Sequence, residues 1–183
     1  MNYAKRRLFI GIPLSDALRK RLARGASAFE GEAFLPVRPE NYHVTLLFLG
    51  FVSEEEMYTV SQKIETALEG ISSFDLSFDR IQAVDDPADP KMIWLSGEPN
   101  DALRMLREAL EKAFGTFVAE KKSFRPHVTL AKIKRSKWRA HPPTENLEQT
   151  VHFVEPVESV ALFESTVIDD KRSYEIIDSF PLG

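Results

Sequence analysis

A mixed α+β fold is predicted by three features of this sequence. Strand-length apolar segments are interleaved with segments of helical period. Capping residues and glycines mark where the helices start and stop. The tetrapeptide His-Val-Thr-Leu occurs twice, in NYHVTLLFLG (41–50) and in SFRPHVTLAKI (123–133), which points to two related halves. With 183 residues the chain can bury one substantial core, or two lobes sharing one, so residues 1–183 are read as a single unit.

The elements follow in order. RRLFIGIPL (6–14) is aliphatic and aromatic and reads as a strand. Ser15 then offers an N-cap for a helix over 16–30, with Ala17, Leu18, Leu22 and Phe29 at helical spacing. Gly31 and the Pro36–Pro39 stretch break the chain before a strand over 42–50. SEEE (53–56) is a capping signature for a helix that runs through MYTVSQKIETALEG and stops at Gly70. FDLSFDRIQAV (74–84) alternates as a half-wet strand and should pair with KMIWLSG (91–97) across the proline turn. A helix over 100–114, a strand over 126–133, a polar excursion from Lys134 to about Glu148, and strands over 157–166 and 173–182 complete the reading.

Composition narrows the function classes. The chain has no cysteine, which excludes disulfides, thiolate nucleophiles and sulfur-ligated zinc, and a reducing cytoplasm suits it. No run approaches membrane-span length, and the charges after the first apolar segment argue against a signal peptide. A formal net charge of −4 argues against coating nucleic acid by bulk electrostatics. It leaves room for a local basic site, and KIKRSKWR (132–139) follows directly on the second repeat.

On a strand, residues two apart share a face, so His43 and Thr45 project one way and Val44 and Leu46 the other. His127 and Thr129 repeat the arrangement. Two imidazoles converging on one cleft can stand as one base and one acid, because the group titrates near neutrality. The threonine hydroxyls can donate to anionic oxygens. A phosphodiester matches that set. Metal binding would need three or four ligands, and nothing acidic accompanies either pair on its face; no metal and no cofactor is expected.

These residues resemble the 2H phosphoesterase superfamily, and within it the RNA 2′,3′-cyclic phosphodiesterases, also called 2′-5′ RNA ligases. The likeness spans RLFIGI, ENYHVTLLFLG, SFRPHVTLAK, VALFES and YEIIDSFPL, nearly the whole chain. It implies a bilobal α+β fold, with two antiparallel sheets related by a pseudo-twofold axis, helices on the outer faces, and a central cleft carrying both motifs. It further implies metal-independent opening of an RNA terminal 2′,3′-cyclic phosphate to a 2′-phosphate, to which some members of the family add 2′-5′ end joining. The expected partner is therefore an RNA 3′ end bearing that cyclic phosphate, with no membrane association, and the expected state a monomer. Rival readings are a small cyclic nucleotide or an ADP-ribose cyclic phosphate as substrate, or an RNA-end binding module without turnover.

Carried onto this chain, the resemblance makes His43 and His127 catalytic and Thr45 and Thr129 substrate-binding. Expulsion of O3′ needs an acid, assigned to His43, and a base for water, assigned to His127. Where the family often has arginine, three residues after the second threonine, this chain has Lys132. Strict alternation would aim Lys132 away from the His127 face, whereas Arg125 shares that parity; both are taken as phosphate-binding candidates. Trp138, in the basic loop, is the expected stacking residue for a base. By the same parity Tyr42 points off the His43 face, and Phe48 is assigned to the core.

Overall fold

In a computed structural model of the chain, residues 5–25, 29, 31–86, 88–115, 124–140, 147–169 and 171–183 are described. They form nine strands and four helices: β1 Lys5–Pro13, α1 Asp16–Gly25, β2 Phe34–Pro36, β3 His43–Ser53, α2 Glu54–Leu68, β4 Phe74–Asp86, β5 Asp89–Gly97, α3 Asp101–Phe114, β6 His127–Ile133, α4 Arg135–Ala140, β7 Gln149–Val157, β8 Ser159–Ile168 and β9 Lys171–Pro181. None of these helices is long and apolar enough to cross a membrane. The strands make two antiparallel sheets, one ordered β3-β1-β8-β9 and the other β2-β6-β5-β4-β7. We call them sheet A and sheet B.

Three elements were not foreseen. β2 has only three residues and ends on a proline, too short to show a period. β7 alternates poorly, contains Pro156 and pairs only with β4, as expected of a proline-bearing edge strand. α4, six residues of mostly basic sequence, interrupts what reads as a polar excursion. α1 ends at Gly25, earlier than its sequence suggests, and the rest of that expected helix lies largely outside the described residues.

Local chemistry explains the other boundaries. The Glu56 carboxylate accepts from both the N–H and the hydroxyl of Ser53, at 2.8 Å each, closing the start of α2. The Asn100 side chain accepts from the Leu103 N–H at 2.9 Å, and Gly115 takes a left-handed φ of 62° at the other end of α3.

The two halves are built alike. β1–α1–β3 and β5–α3–β6 are each a strand, a helix and an antiparallel return strand that carries the His-x-Thr motif. Their registers match: Val44 faces Ile12 as Val128 faces Leu95, and Leu47 faces Ile10 as Ala131 faces Ile93. Both pairings slip by one residue at the same place, with Leu46 and Leu130 the extra residues. The repeat thus extends to a shared β-bulge.

The helices interlock the halves. α2 buries Val60, Ile64 and Leu68, and its Ser61 donates to Asp178 of β9 at 2.9 Å, so it covers sheet A. α1 leaves sheet A and lies against sheet B: the Glu155 carboxylate of β7, 2% exposed, accepts from the Ser15 N–H and from its hydroxyl at 2.9 Å, and the Arg21 guanidinium sits 4.6 Å from the centre of the Phe153 ring. A buried carboxylate placed at the start of α1 is also favoured by the helix dipole. One continuous hydrophobic cluster joins Leu8, Ile10 and Val44 of sheet A with Leu76, Leu95 and Val128 of sheet B.

Candidate active site

The motif strands are held core-side by Val44 and Val128, both fully buried, and this turns the alternate residues to the space between the sheets. There His43, Thr45, His127 and Thr129 line one cavity of about 660 Å³. All four sequence-predicted residues are thereby brought together.

Each imidazole is anchored in the same way. Nδ1–H of His43 donates to the carbonyl of Asn41 at 2.7 Å, and Nδ1–H of His127 to the carbonyl of Arg125 at 3.1 Å, the residue two before the histidine in both cases. Because a carbonyl only accepts, Nδ1 keeps its proton and Nε2 of the neutral ring is left as the acceptor. Nε2 of His43 lies 2.9 Å from the Thr45 hydroxyl. Asn41 is itself buried and clamped to β9, its amide donating to the Arg172 carbonyl at 2.9 Å and accepting from the Tyr174 N–H at 3.0 Å.

The packing around the rings differs between the halves. His127 stacks on Trp94, with centroids 3.9 Å apart and planes 20° from parallel. The position equivalent to Trp94 in sheet A is Gly11, where a Cβ would lie 2.9 Å from the Val44 carbonyl and 3.5 Å from His43 Cδ2. His43 is instead walled by Phe9, Phe163 and Tyr174, with ring centroids 4.8, 5.4 and 5.0 Å away. Burial lowers the His43 pKa to about 4, the charge of His127 adds to this, and the Asn41 carbonyl opposes it. His127 is also lowered, first by burial and then by the charge of Arg107, against the Arg125 carbonyl. The free protein therefore holds both rings neutral at pH 7.

The shared bulge corrects the parity argument for the flanking residues. With Leu130 and Ala131 both buried after the slip, Lys132 returns to the His127 face and lines the cavity. Phe48 does the same in sheet A; assigned to the core from sequence, it is 67% exposed at the mouth of the cavity. Arg125 contributes its main-chain carbonyl, and its exposed side chain is not part of the cavity lining. Trp138, expected to stack on a base, is 9% exposed, packs edge-on against Phe34 with centroids 6.2 Å apart, and belongs to the core.

Sequence reasoning missed Arg107 and Trp94. Arg107 reaches the cavity from α3, held by Glu111 at 2.7 Å and lying 4.2 Å over the Phe124 ring. In sequence it is one half of an ordinary i, i+4 ion pair. Its signal is its place beside the buried stripe Leu103, Leu106 and Leu110. Among the described residues no group of three or more His, Cys, Asp or Glu side chains is arranged to hold a metal.

Two antiparallel sheets with paired His-x-Thr strands at a common cleft define the 2H type of fold. The chain belongs to the 2′-5′ RNA ligase superfamily, whose sequence model matches residues 14–165. It is 28% identical to the RNA 2′,3′-cyclic phosphodiesterase of Bacillus subtilis, with 96% of each chain covered. Its identity to the RNA 2′,3′-cyclic phosphodiesterase of Archaeoglobus fulgidus is also 28%, over 70% of this chain and 73% of that one. Among solved structures it is similar to a Thermus thermophilus protein, with TM-score 0.80, 25% identity and coverage of 96% and 97% of the two chains. Escherichia coli LigT complexed with NADP+ shares the fold at TM-score 0.78 and 24% identity, over 98% and 99%.

Proposed function

We propose that this protein is an RNA 2′,3′-cyclic phosphodiesterase that opens the terminal ring to a 2′-phosphate with its own side chains and no metal. The observation that carries the reading is the pair of imidazoles, each tied back through Nδ1 to a carbonyl two residues upstream, that line one cavity with two threonine hydroxyls. The names of its relatives supply the substrate class.

In this mechanism the substrate's anion sits between Thr45, Thr129 and Lys132, whose hydroxyls and ammonium hold the non-bridging oxygens. Its charge raises both ring pKa values, so that one ring becomes an imidazolium on binding. Neutral Nε2 of His127 takes a proton from water as the water oxygen bonds to phosphorus. The P–O3′ bond breaks on the opposite side, and O3′ leaves with the proton of the His43 imidazolium. The product is a 2′-phosphate with a free 3′-hydroxyl, and a proton returns from His127 to His43 through solvent. An RNA 5′-hydroxyl in place of water gives a 2′-5′ linkage by the same transfers.

An oligonucleotide ending in a 2′,3′-cyclic phosphate, incubated with the protein in excess chelator, is expected to yield the 2′-phosphate, identified by phosphorus NMR. A 3′-phosphate product, or loss of activity in chelator, would sink the mechanism. The pH dependence is a separate check. The base must be neutral and the acid charged, and lowering both pKa values moves both limbs of the bell to lower pH. The kcat/KM profile, which reports the free enzyme, is therefore expected to centre below the ordinary histidine value of about 6.5, with the kcat profile displaced upward by the bound anion. Coincident profiles centred above pH 7 would count against two buried titrating rings.

A further inference from the structure

The cleft continues onto the open face of sheet A, and register fixes which residues that face presents. Cross-strand partners share a face, so Phe9 opposite Phe48 and Arg7 opposite Phe51 lie on the side of Thr45, whose partner is Gly11. β8 and β9 extend it with Phe163 opposite Ile176, Ser165 opposite Tyr174 and Val167 opposite Arg172. The other side of the sheet is the one covered by α2, and it carries Glu164, Glu175 and Asp178. At the paired positions of the open side no Asp or Glu occurs, in a chain whose net charge is −4.

Two features of this face stand out. Phe48 and Phe51 are 67% and 69% exposed, and they sit opposite β1 residues two apart, so about 7 Å separates them along the strand. Arg7 lies opposite Phe51 and Arg172 lies across the sheet on β9, both exposed, and neither forms an ion pair with a carboxylate among the described residues. The charges of Arg172 and Arg7 both reach Tyr174, where they act against the dominant effect of burial on its hydroxyl.

We propose that this face of sheet A is the track for the single-stranded RNA immediately 5′ of the cyclic phosphate, with successive bases stacking on Phe48 and Phe51, the phosphate between them meeting Arg7, and Arg172 adding positive charge from β9 across the face. The proposal rests on the function proposed above and deepens it by assigning the surface that holds the strand leading to the reacting end. Three observations choose the occupant. Exposed rings spaced along an open sheet are the platform single-stranded nucleic acid uses, since every base has a stacking face. Cations without acidic neighbours complement a polyanion and not an acid-balanced protein surface. The face is continuous with the cavity through Phe9, whose ring centroid is 4.8 Å from that of His43 and 5.9 Å from that of Phe48.

The test compares a nucleoside 2′,3′-cyclic monophosphate with oligonucleotides of two to five residues ending in the same group. Wild-type kcat/KM is expected to rise about tenfold or more with the first added nucleotides, the scale of one stacked base. Phe51→Ala and Arg7→Gln should each remove most of that gain while leaving the cyclic mononucleotide rate unchanged. Arg7→Gln should also flatten the dependence of log kcat/KM on log salt by about 0.7, one phosphate contact on a single strand. Length-independent rates, or equal losses on both substrates, would overturn the track and leave the catalytic reading standing. A Phe51→Ala variant that changes only the oligomeric state would assign the face to a second copy of this chain and overturn it as well. Absence of cyclic mononucleotide and oligonucleotide hydrolysis alike would instead fail the function proposed above.

Discussion

Alanine at His43 or at His127 is expected to lower kcat for cyclic phosphate opening by ~10²–10⁴-fold each, the range for a general acid or base. The double variant should fall little further, because removing either proton-transfer partner disables the same step. His43 also packs on Phe9, Phe163 and Tyr174 and His127 on Trp94, so thermal unfolding of each variant is measured alongside and kcat is compared for the folded fraction. The two singles are told apart by a substrate with sulfur in place of O3′, whose thiolate departs without protonation. With His43 as the acid, the His43→Ala defect should shrink on that substrate while the His127→Ala defect persists. The reverse pattern would exchange their roles, and single variants with near-normal rates would remove both rings from the chemistry.

Trp138→Ala is expected to cost about 3 kcal/mol of stability, the lower end for removing a buried aromatic, because the ring is slightly exposed. In a chain of this size that corresponds to a drop of roughly 6–12 °C in Tm. α4 would keep its polar ties, since Arg135 and Arg139 both pair with Asp89 at the β5 end, a carboxylate that their hydrogen bonds, and then their charges, hold well below its usual range. The kcat/KM of the folded fraction should be unchanged. Weaker binding of an RNA end with no loss of stability would restore Trp138 to the surface role that its sequence context suggests.

That tryptophan shows where sequence reasoning stops. Its neighbours Arg135, Lys137 and Arg139 are exposed, as a basic loop implies, but a six-residue helix turns the one aromatic among them inward onto Phe34. The His43, Thr45, His127 and Thr129 quartet was legible because strand alternation over three residues survives any tertiary detail. Lys132 and Phe48 were misjudged because the same alternation was carried across Leu130 and Leu46, where both strands bulge. A bulge is a two-strand property, and a single segment gives no hint of it beyond two consecutive apolar residues, Leu46-Leu47 and Leu130-Ala131. Arg107 and Trp94 enter the cleft from elements whose facing is set only when the two sheets meet.

The passage of α1 beneath the opposite sheet, locked there by Glu155, bears on how the enzyme would meet its substrate. Two half-sites resting on separate hinged bodies would have to close around an anion and spend binding energy to do so. Here the helix of the first half is stitched into the foundation of the second, so the distance between the two rings is decided when the chain folds. The phosphate arrives at a gap of settled width, and unfolding should proceed as one event in which both half-sites vanish together.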